Sequence, residues 1–439
     1  MQKFGGSSVA DVDRIGAVAA RIAATVAAGA EVAVVVSAMG DTTDELIALA
    51  QQVHPDPPGR ELDLLMSTGE VVASVLLALA LQARGVAARA LTGMQAGIYT
   101  SGTHRRASIV EVDARRVREM LDTGEVAIVT GFQGVRGAGP DSEITTLGRG
   151  GSDTSAVALA VALGAGWCEI YTDVDGIFTA DPRVVPCARP VRRIGYTEML
   201  ELAQQGARVM HPRSVELGSI YALPIVVRSS FSARLGTIIA APDAVLPAPL
   251  QAEEGPMELD NKISGVAHDR DVARVTVTGV PRANLQLHRL FTPLADAGIN
   301  VDAIAYALDA DGHGADCTFT VAESDLGHTL QVAGATAVAL GAREVRTRRD
   351  VGKVSVIGVG VQDTPGLAAQ AFAVLAEAGI PIEMVTTSAI RISCIIPEAH
   401  LEAAARLLHH AFGLDGDGPS LDGGDATLAS LQGVPVWTG

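Results

Sequence analysis

Aromatic residues, lysine and cysteine are all scarce in this chain. Trp, Tyr and Phe make up 3% of its 439 residues, so the core must be built from Ala, Val, Leu and Ile. The four cysteines (Cys168, Cys187, Cys317 and Cys394) are far apart and form no CxxC pair. Their spacing predicts neither a disulfide framework nor a zinc site, and it fits a reducing compartment.

Long hydrophobic runs and an excess of positive charge are also missing. The formal net charge is −17, which argues against nucleic acid as a partner because an acidic surface repels phosphates. The longest apolar run, from Val71 to Leu81, is shorter than the ~20 residues that a membrane span requires. No apolar segment follows Met1, Gln2 and Lys3 as it would in a signal peptide. We therefore expect a cytoplasmic protein that does not use a membrane.

The first 242 residues alternate apolar β-branched runs with Ala-rich amphipathic segments. The runs Glu31–Ser37, Val126–Thr130 and Ile225–Ser229 are typical of central parallel strands that are covered on both faces. The alternation predicts a layered α/β domain over residues 1–242. A Pro- and Ala-rich stretch without periodicity follows, and we interpret residues 243–257 as a linker.

The C-terminal part contains an internal repeat. Val275–Gly279 and Val354–Gly358 each precede a helical segment that ends in Ala-Gly-Ile. The pattern predicts two ββαββα-type modules that bury a face against each other, over residues 258–342 and 351–415. Residues 416–439 are rich in Gly and Asp and are predicted to form a flexible tail.

Two glycine-rich loops have the composition of phosphate-binding loops. Lys3–Ser8 (KFGGSS) joins a short strand to a helix, and glycines there allow backbone N–H groups to approach a phosphate. Its lysine precedes the glycines, so it is not a GxxxxGK[ST] P-loop. Gly148–Ser155 (GRGGSDTS) opens an Ala-rich helix and carries an arginine that can clamp a carboxylate. Asp153 in this loop also suits a helix N-cap.

Three further polar segments follow predicted strands or open helices: Tyr171–Arg183, Ser37–Glu45 and Ser67–Glu70. The first has the acids of a calcium loop but lacks the bidentate Glu of an EF-hand, so we discount calcium. Each of the other two also fits an ordinary helix cap. Together the five segments predict a ligand site at the carboxyl edge of an α/β sheet.

The ordered motifs KFGGSS, SAMGDTTDEL, STGE, GFQG, GRGGSDTSAVALA, YTDVDGIFTADPR and HPRSVE closely resemble those of aspartokinases. The resemblance runs from Lys3 to about Leu414 and includes the repeats, which look like ACT domains. It implies an amino-acid kinase fold, two ferredoxin-like ACT domains, and phosphoryl transfer from MgATP to the side-chain carboxylate of L-aspartate. The alternative is a degenerate kinase that acts as an ACT-based amino-acid sensor.

The resemblance also implies roles for individual residues. The catalytic residues would be Lys3 and Asp153. The nucleotide side would be formed by Lys3, Gly5, Gly6, Ser7, Ser37, Thr172, Asp173, Phe178 and Arg183. Aspartate would be held by Thr43, Glu70, Arg149, Gly150, Gly151 and Ser152, with Glu70 at its ammonium group. The cofactors would be ATP and Mg²⁺, and no protein ligand for a metal is predicted.

A regulatory amino acid, threonine or lysine, would bind the ACT repeats. The resemblance assigns it to Asn300, Val301, Asp302, Asp363, Gly366 and Leu367. Arg282–Leu285 in the first repeat replaces the acid and the Pro-Gly pair that the second repeat keeps, which predicts weakened or altered feedback. We expect either a homo-oligomer or an α₂β₂ assembly whose small subunit starts internally near Met257.

Overall fold

The computed structural model describes residues 1–137, 139–207, 209–247, 250, 263–281, 287–308, 314–361 and 364–415. The strands of the N-terminal part are β1 (Gln2–Phe4), β2 (Ala33–Val36), β3 (Ala88–Leu91), β4 (Ile98–Ser101), β5 (Ser108–Val112), β6 (Val126–Thr130), β7 (Gln133–Arg136), β8 (Glu143–Thr146), β9 (Cys168–Thr172), β10 (Ile177–Phe178), β11 (Pro190–Val191), β12 (Arg193–Ile194), β13 (Ile225–Ser229) and β14 (Thr237–Ile239). Its helices are α1 (Val12–Ala27), α2 (Thr42–Val53), α3 (Gly59–Gln82), α4 (Arg115–Asp122), α5 (Gly151–Leu163), α6 (Tyr196–Gln204) and α7 (Pro212–Ile220).

The main sheet has eight strands in the order β12-β14-β13-β9-β1-β2-β6-β3. From β13 to β3 every neighbouring pair is parallel, whereas β14 runs antiparallel to β13. This confirms the layered α/β fold with a mostly parallel sheet. The sheet is central and its strands are covered on both faces, which is why the β-branched runs carry no polar alternation.

Helices cover both faces of this sheet. Val34 and Val36 face a core formed with α1 and α3, whereas Val35 points to the opposite core, formed with α4 to α7. Smaller sheets, β5-β4-β7-β8 and β10-β11, lie outside the main one. The helix α3 is long and apolar enough to cross a membrane by length and composition alone. An 18-residue window within it has a mean hydropathy of 2.0, and half of this window is buried inside the chain.

The C-terminal part consists of two four-stranded sheets with helices. Its strands are β15 (Gly265–Asp269), β16 (Ala273–Pro281), β17 (Ile304–Leu308), β18 (Gly314–Val321), β19 (Glu344–Arg348), β20 (Val351–Ile357), β21 (Met384–Ser388) and β22 (Arg391–Pro397). Its helices are α8 (Leu287–Asp296), α9 (Leu326–Leu340), α10 (Leu367–Glu377) and α11 (Leu401–Ala411). Short 3₁₀ helices cover Gly6–Val9, Gly139–Asp141, Glu323–Asp325 and Glu398–His400.

The two predicted modules are both present, but their predicted boundaries are wrong at two strands. One sheet has the order β17-β18-β16-β19 and the other β15-β20-β22-β21. Thus β15, which lies inside the predicted range 258–342, belongs to the second module, and β19, which lies outside that range, belongs to the first. All seven residues of β20 are buried, so it needs a neighbour on each side, and β15 supplies one of them. The first module is inserted between these two strands.

The predicted linker and tail are only partly described. Within residues 243–257, Leu246 is buried and packs with Leu250, Val226 and Ile238 against the main sheet. Met257, Arg282–Leu285, Asp363 and residues 416–439 lie outside the described residues.

The second module shares its core with the α/β domain. Ala180 and Val185, from the segment that follows β10, are buried in one cluster with Leu401 and Leu408 of α11. The backbone N–H of Val266 in β15 also donates to the carbonyl oxygen of Thr179 at 2.7 Å. Residues directly after Phe178 are therefore held by the ACT module.

Candidate active site

Three of the predicted polar segments, together with the GFQG motif, lie at the carboxyl ends of neighbouring parallel strands. Gly5 follows β1, Ser37 follows β2, Gly131 follows β6 and Asp173 follows β9. Backbone bonds join them, since Gly5 N–H donates to Tyr171 O at 3.1 Å and Gly131 N–H to Val36 O at 2.9 Å. The sheet thus brings these loops to the edge where open α/β sheets bind their ligands.

A buried ion pair lies at the centre of this edge. The Nζ atom of Lys3 is 2.6 Å from Oδ1 of Asp153, and the two side chains are only 10% and 11% exposed. Lys3 is held in β1 between Val35 and Ile170 of the adjacent strands. Asp153 lies in the first turn of α5, a helix of 13 residues. The ammonium group of Lys3 is therefore held beside the N-terminus of α5, and this arrangement suits the binding of phosphate oxygens.

Glycines let the backbone approach closely around this pair. A Cβ atom on Gly6 would lie 2.9 Å from Ala38 O, and one on Gly131 would lie 2.7 Å from Oγ of Ser152. A Cβ on Gly5 would be 3.5 Å from Nζ of Lys3. The loops leave no room for a side chain at Gly6 or Gly131, so peptide groups line the edge at these two positions.

The start of α5 depends on Gly150. Its φ is +66°, and a Cβ atom there would lie 2.2 Å from Cβ of His211. His211 caps α7, and Arg213 next to it donates to Leu147 O at 2.7 Å and to Ala107 O at 3.0 Å. Burial lowers the pKa of His211, while the charge of Asp153 raises it. The HPRSVE segment thus packs against the glycine loop and fixes the position of Gly150. Its sequence did not indicate this role.

Glu70 is a buried carboxylate with one unused oxygen. It lies on α3, is 2% exposed, and its Oε1 accepts from Ala38 N–H at 3.1 Å. Within the described residues, nothing hydrogen-bonds to Oε2. Burial raises the pKa of Glu70 from 4.5 to about 7, and the bond from Ala38 opposes this shift. Such a group fits the ammonium of a small ligand, because an unpaired buried oxygen is costly to leave unsatisfied.

The other predicted ligand residues surround this centre less tightly. Thr43 is half-buried in the first turn of α2, and Arg149 is exposed beside Gly150. Gly151 and Ser152 are buried in the first turn of α5, and Ser7 lies in the short helix after β1.

On the nucleotide side, Thr172 donates to Asp173 at 3.0 Å and Phe178 is half-buried in β10. Arg183 is 89% exposed and pairs with Asp181 at 2.8 Å.

Known proteins match both parts of the chain. The amino acid kinase family model covers residues 2–229, and an ACT domain model covers residues 354–412. The chain is 47% identical over 418 residues to the aspartokinase of Mycolicibacterium smegmatis, covering 95% of this chain and 96% of that one. The chain belongs to the aspartokinase family.

Solved aspartokinases share the fold. Aspartokinase III of Escherichia coli in its R-state, in complex with aspartate and ADP, superposes with a TM-score of 0.77 at 25% identity, over 93% of this chain and 98% of that one. The T-state of the same enzyme, in complex with lysine and aspartate, gives a TM-score of 0.67 at 25% identity, over 94% and 98%. Family membership makes this chain a kinase with ACT-type regulatory modules.

The predicted effector residues of this aspartokinase lie in both ACT modules. Asn300 is exposed and Val301 is half-buried in the segment after α8. Asp302 is already engaged, since its Oδ2 is 2.6 Å from Nζ of Lys353, a buried residue of β20. Gly366 has a φ of +97° and begins α10 together with Leu367. Asp302 therefore links the first module to the second, while 41% of its side chain remains exposed.

Sequence reasoning missed Asp63, which organises the loop beside the aspartokinase site. Asp63 is fully buried on α3 and accepts from the backbone N–H of Arg105 and Thr146, from Oγ1 of Thr146 and from Nδ1 of His104. Arg106, which follows Arg105 in the chain, donates to Gly298 O of the first ACT module at 3.1 Å. The sequence signal that could have revealed Asp63 is the presence of an acidic residue inside the apolar ELDLLM stretch.

We expect Asp63→Asn to destabilise the protein by about 2 to 3 kcal/mol, because the amide turns one acceptor into a donor that faces other buried donors. Differential scanning calorimetry would show a lower Tm. Glu61→Gln is the matched control, since Glu61 is an exposed acid in the first turn of the same helix. An unchanged Tm for Asp63→Asn would contradict the role assigned to this carboxylate.

We expect Gly150→Ala to lower kinase activity at least about tenfold, because the Cβ would push α5 away from His211 and misplace Asp153. Gly164→Ala at the other end of α5 is the matched control. Gly164 has a similar φ of +65°, but a Cβ there meets nothing within 4 Å. Both variants lose about 1 kcal/mol to left-handed strain, so equal losses of activity would contradict the steric argument.

Proposed function

We propose that this chain transfers the γ-phosphoryl group of ATP to the side-chain carboxylate of L-aspartate and forms 4-phospho-L-aspartate. This is the first step towards threonine, methionine, diaminopimelate and lysine. The Lys3–Asp153 pair at the carboxyl edge of the sheet is the observation that carries the proposal. The alternative, a degenerate kinase that only senses amino acids, is disfavoured because this pair and Glu70 are intact.

The chemistry requires positioning rather than a general base. A carboxylate is already a nucleophile at neutral pH, so the protein must bring two anions together and neutralise the charge on the phosphoryl oxygens. Lys3, the peptide N–H groups of the glycine loops and the N-terminus of α5 are placed to do this. Asp153 holds Lys3 in position. Glu70 would receive the aspartate ammonium, with Thr43, Ser152 and Arg149 around the carboxylates.

The edge also fits a nucleotide with magnesium. The close-packed glycines Gly6 and Gly131 would present peptide groups to phosphates. The nucleotide side would be formed by Gly5, Ser7, Ser37, Thr172, Asp173, Phe178 and Arg183. Mg²⁺ prefers oxygen ligands and retains water, so it would be held chiefly through the phosphates, where it neutralises their charge. Asp153 and Asp173 are two carboxylates that lie on this edge.

We infer that residues 1–242 form the catalytic domain and that the two interleaved ACT modules regulate it. Lysine or threonine would be the effector, and E. coli aspartokinase III offers a precedent through its lysine complex. An oligomer, either of one chain or with a small subunit begun near Met257, would carry the effector sites. We place the enzyme in the cytoplasm.

The test is ATP-dependent formation of aspartyl hydroxamate by the purified full-length chain. We expect activity with L-aspartate that exceeds activity with L-glutamate by about 10- to 200-fold, because one extra methylene must be excluded from the Glu70 pocket. Millimolar lysine and threonine are then added separately. Inhibition by either identifies the effector, whereas no hydroxamate under any condition supports the sensor alternative.

A further inference from the structure

A cluster of metal-ligating side chains lies outside the active site, where the C-terminal helix meets the segment after β10. Asp415 receives three hydrogen bonds in this cluster. Its Oδ1 accepts from Sγ of Cys187 at 3.1 Å and from Nδ1 of His409 at 2.6 Å, and its Oδ2 accepts from Nδ1 of His410 at 2.5 Å. The ligand atoms of Cys187, His409 and Asp415 all lie within 4.8 Å of one another.

We propose that Cys187, His409 and Asp415 bind a borderline transition-metal ion of the Zn²⁺ type, and that the exposed His410, which contacts Asp415, turns to supply the fourth ligand. One thiolate, two imidazole nitrogens and one carboxylate are four ligands of the kinds that Zn²⁺ takes in tetrahedral sites. Mg²⁺ is a poor competitor, because it requires oxygen ligands and retains its water. Two anionic ligands balance the charge of the divalent ion.

In the metal-free protein, hydrogen bonds join the thiol, imidazole and carboxylate atoms that would otherwise bind the ion. The Cys187 thiol donates its hydrogen to Oδ1 of Asp415. Metal binding is then a ligand exchange in which the ion loses water, the thiol releases its proton to solvent, and each imidazole carries its remaining proton on Nε2.

The surroundings of His409 already suit a metal-bound imidazole. His409 is fully buried, and its Nε2 lies 2.8 Å from Oγ1 of Thr179. Thr179 Oγ1 accepts from Arg189 N–H at 2.9 Å and has a second lone pair for an Nε2–H donor. A ligating histidine normally donates its other N–H in this way, which fixes the ring. Arg189 also binds Leu414 O at 2.7 Å and so holds the chain just before Asp415.

An ion has an open route to this site from solvent. The side chain of His410 is 81% exposed, Cys187 is exposed, and Asp415 is 28% exposed. One ligand comes from the segment after Phe178, and three come from the end of the second ACT module. A bound ion would therefore cross-link the nucleotide side of the kinase domain to its regulatory part.

The experiment is a titration of the full-length, tag-free chain with Co²⁺ in the presence of excess Mg²⁺, followed by absorption spectroscopy. We expect a sulfur-to-cobalt charge-transfer band and tetrahedral d–d bands that saturate at one equivalent and disappear on addition of Zn²⁺. A competition titration with Zn²⁺ and a chromophoric chelator then gives the affinity.

Two exposed ligand variants test the assignment without disturbing the core. Cys187→Ser should abolish the charge-transfer band, and His410→Ala should weaken the affinity at least about tenfold. His400→Ala is the matched control, because His400 is an exposed histidine just before the same helix and outside the cluster. A missing band, a band that survives Cys187→Ser, or equal losses in His410→Ala and His400→Ala would each overturn the proposal.

Discussion

Lys3→Met should lower kcat for aspartate phosphorylation by about 10³-fold, the loss seen when a fixed positive charge or donor is removed from a phosphoryl- or acyl-transfer site. Nζ of Lys3 lies beside the glycine loop and 2.6 Å from Asp153, where it can follow charge as it develops on the transferred group. Because this interaction strengthens in the transition state, kcat should fall with little change in the KM for ATP. Steady-state hydroxamate assays measure both constants.

The loss of activity must be separated from a loss of folding. Lys3→Met leaves Asp153 buried without its cation, which costs about 3 kcal/mol of stability. The double variant Lys3→Met/Asp153→Asn removes that unpaired charge, so it should recover most of the Tm and none of the activity. Recovery of activity together with Tm would show that Lys3 is only structural.

Lys353→Met provides the matched control for a buried lysine pair. Lys353 has the same 2.6 Å contact with a carboxylate, that of Asp302, but it lies in the second ACT module. We expect this variant to lose stability while keeping kcat near the wild-type value in the absence of effectors. A kcat that falls as far as in Lys3→Met would refute the special position of Lys3.

Glu70→Gln should lower kcat/KM for aspartate by about 10²-fold, because the buried ammonium of the substrate loses its charged partner. The effect should appear mainly in the KM for aspartate and spare the KM for ATP. Glu45→Gln is a suitable control, since Glu45 is an exposed acid in the first turn of α2. A normal KM for aspartate in Glu70→Gln would remove Glu70 from the aspartate site.

The raised pKa of Glu70 also gives the free enzyme a defined pH dependence. The group titrates near 7 in the folded chain and near 4.5 when exposed, so between these values the folded state holds a proton that the unfolded state releases. Stability therefore falls as pH rises from about 4.5 to 7, by up to roughly 3 kcal/mol, and is level above that range. Glu70→Gln should flatten this slope in chemical unfolding at pH 5, 6, 7 and 8.

Aspartate binding should have the opposite pH dependence. The ionised form of Glu70 binds the ammonium, so the affinity for aspartate should increase from pH 6 to pH 8 in the wild type and stay flat in Glu70→Gln. Isothermal titration calorimetry without ATP measures this directly. Affinity that rises equally in both proteins would assign the titration to another group.

The fold, and the meeting of the glycine loops at one sheet edge, could be predicted from the sequence because their signals are local. Buried parallel strands appear as unbroken β-branched runs, and each glycine loop directly follows such a run or opens the next helix. The same logic predicts that Lys3, Ser37 and Asp173 meet at one sheet edge, since parallel strands end together. The role of Asp63 could not be predicted in this way, because the five hydrogen bonds that its carboxylate accepts come from residues 104, 105 and 146.

Long-range pairing explains the errors in the C-terminal part. The repeat of strand, glycine and helix reveals two modules, but the pattern within β15 is the same whichever partner it has. Only the pairing of Gly265 with Ile357 and of Asp269 with Lys353 assigns β15 to the second sheet. The cluster around Cys187 is equally invisible in the cysteine spacing, because Cys187 comes near His409 and Asp415 only in the folded chain.

The insertion of one ACT module into the other sets an order of events during synthesis. When β15 leaves the ribosome, its partner β20 has not been made, and 351 − 269 = 82 positions separate the end of one strand from the start of the other. At translation rates of about 5 to 20 residues per second, β15 waits roughly 4 to 16 s with an unpaired edge. The elements of the first module emerge within that interval, with its last strand β19 appearing directly before β20, and their pairing brings β15 and β20 together. A shorter polypeptide begun at Met257 would still carry β15, so it would inherit the same order and complete both sheets by itself.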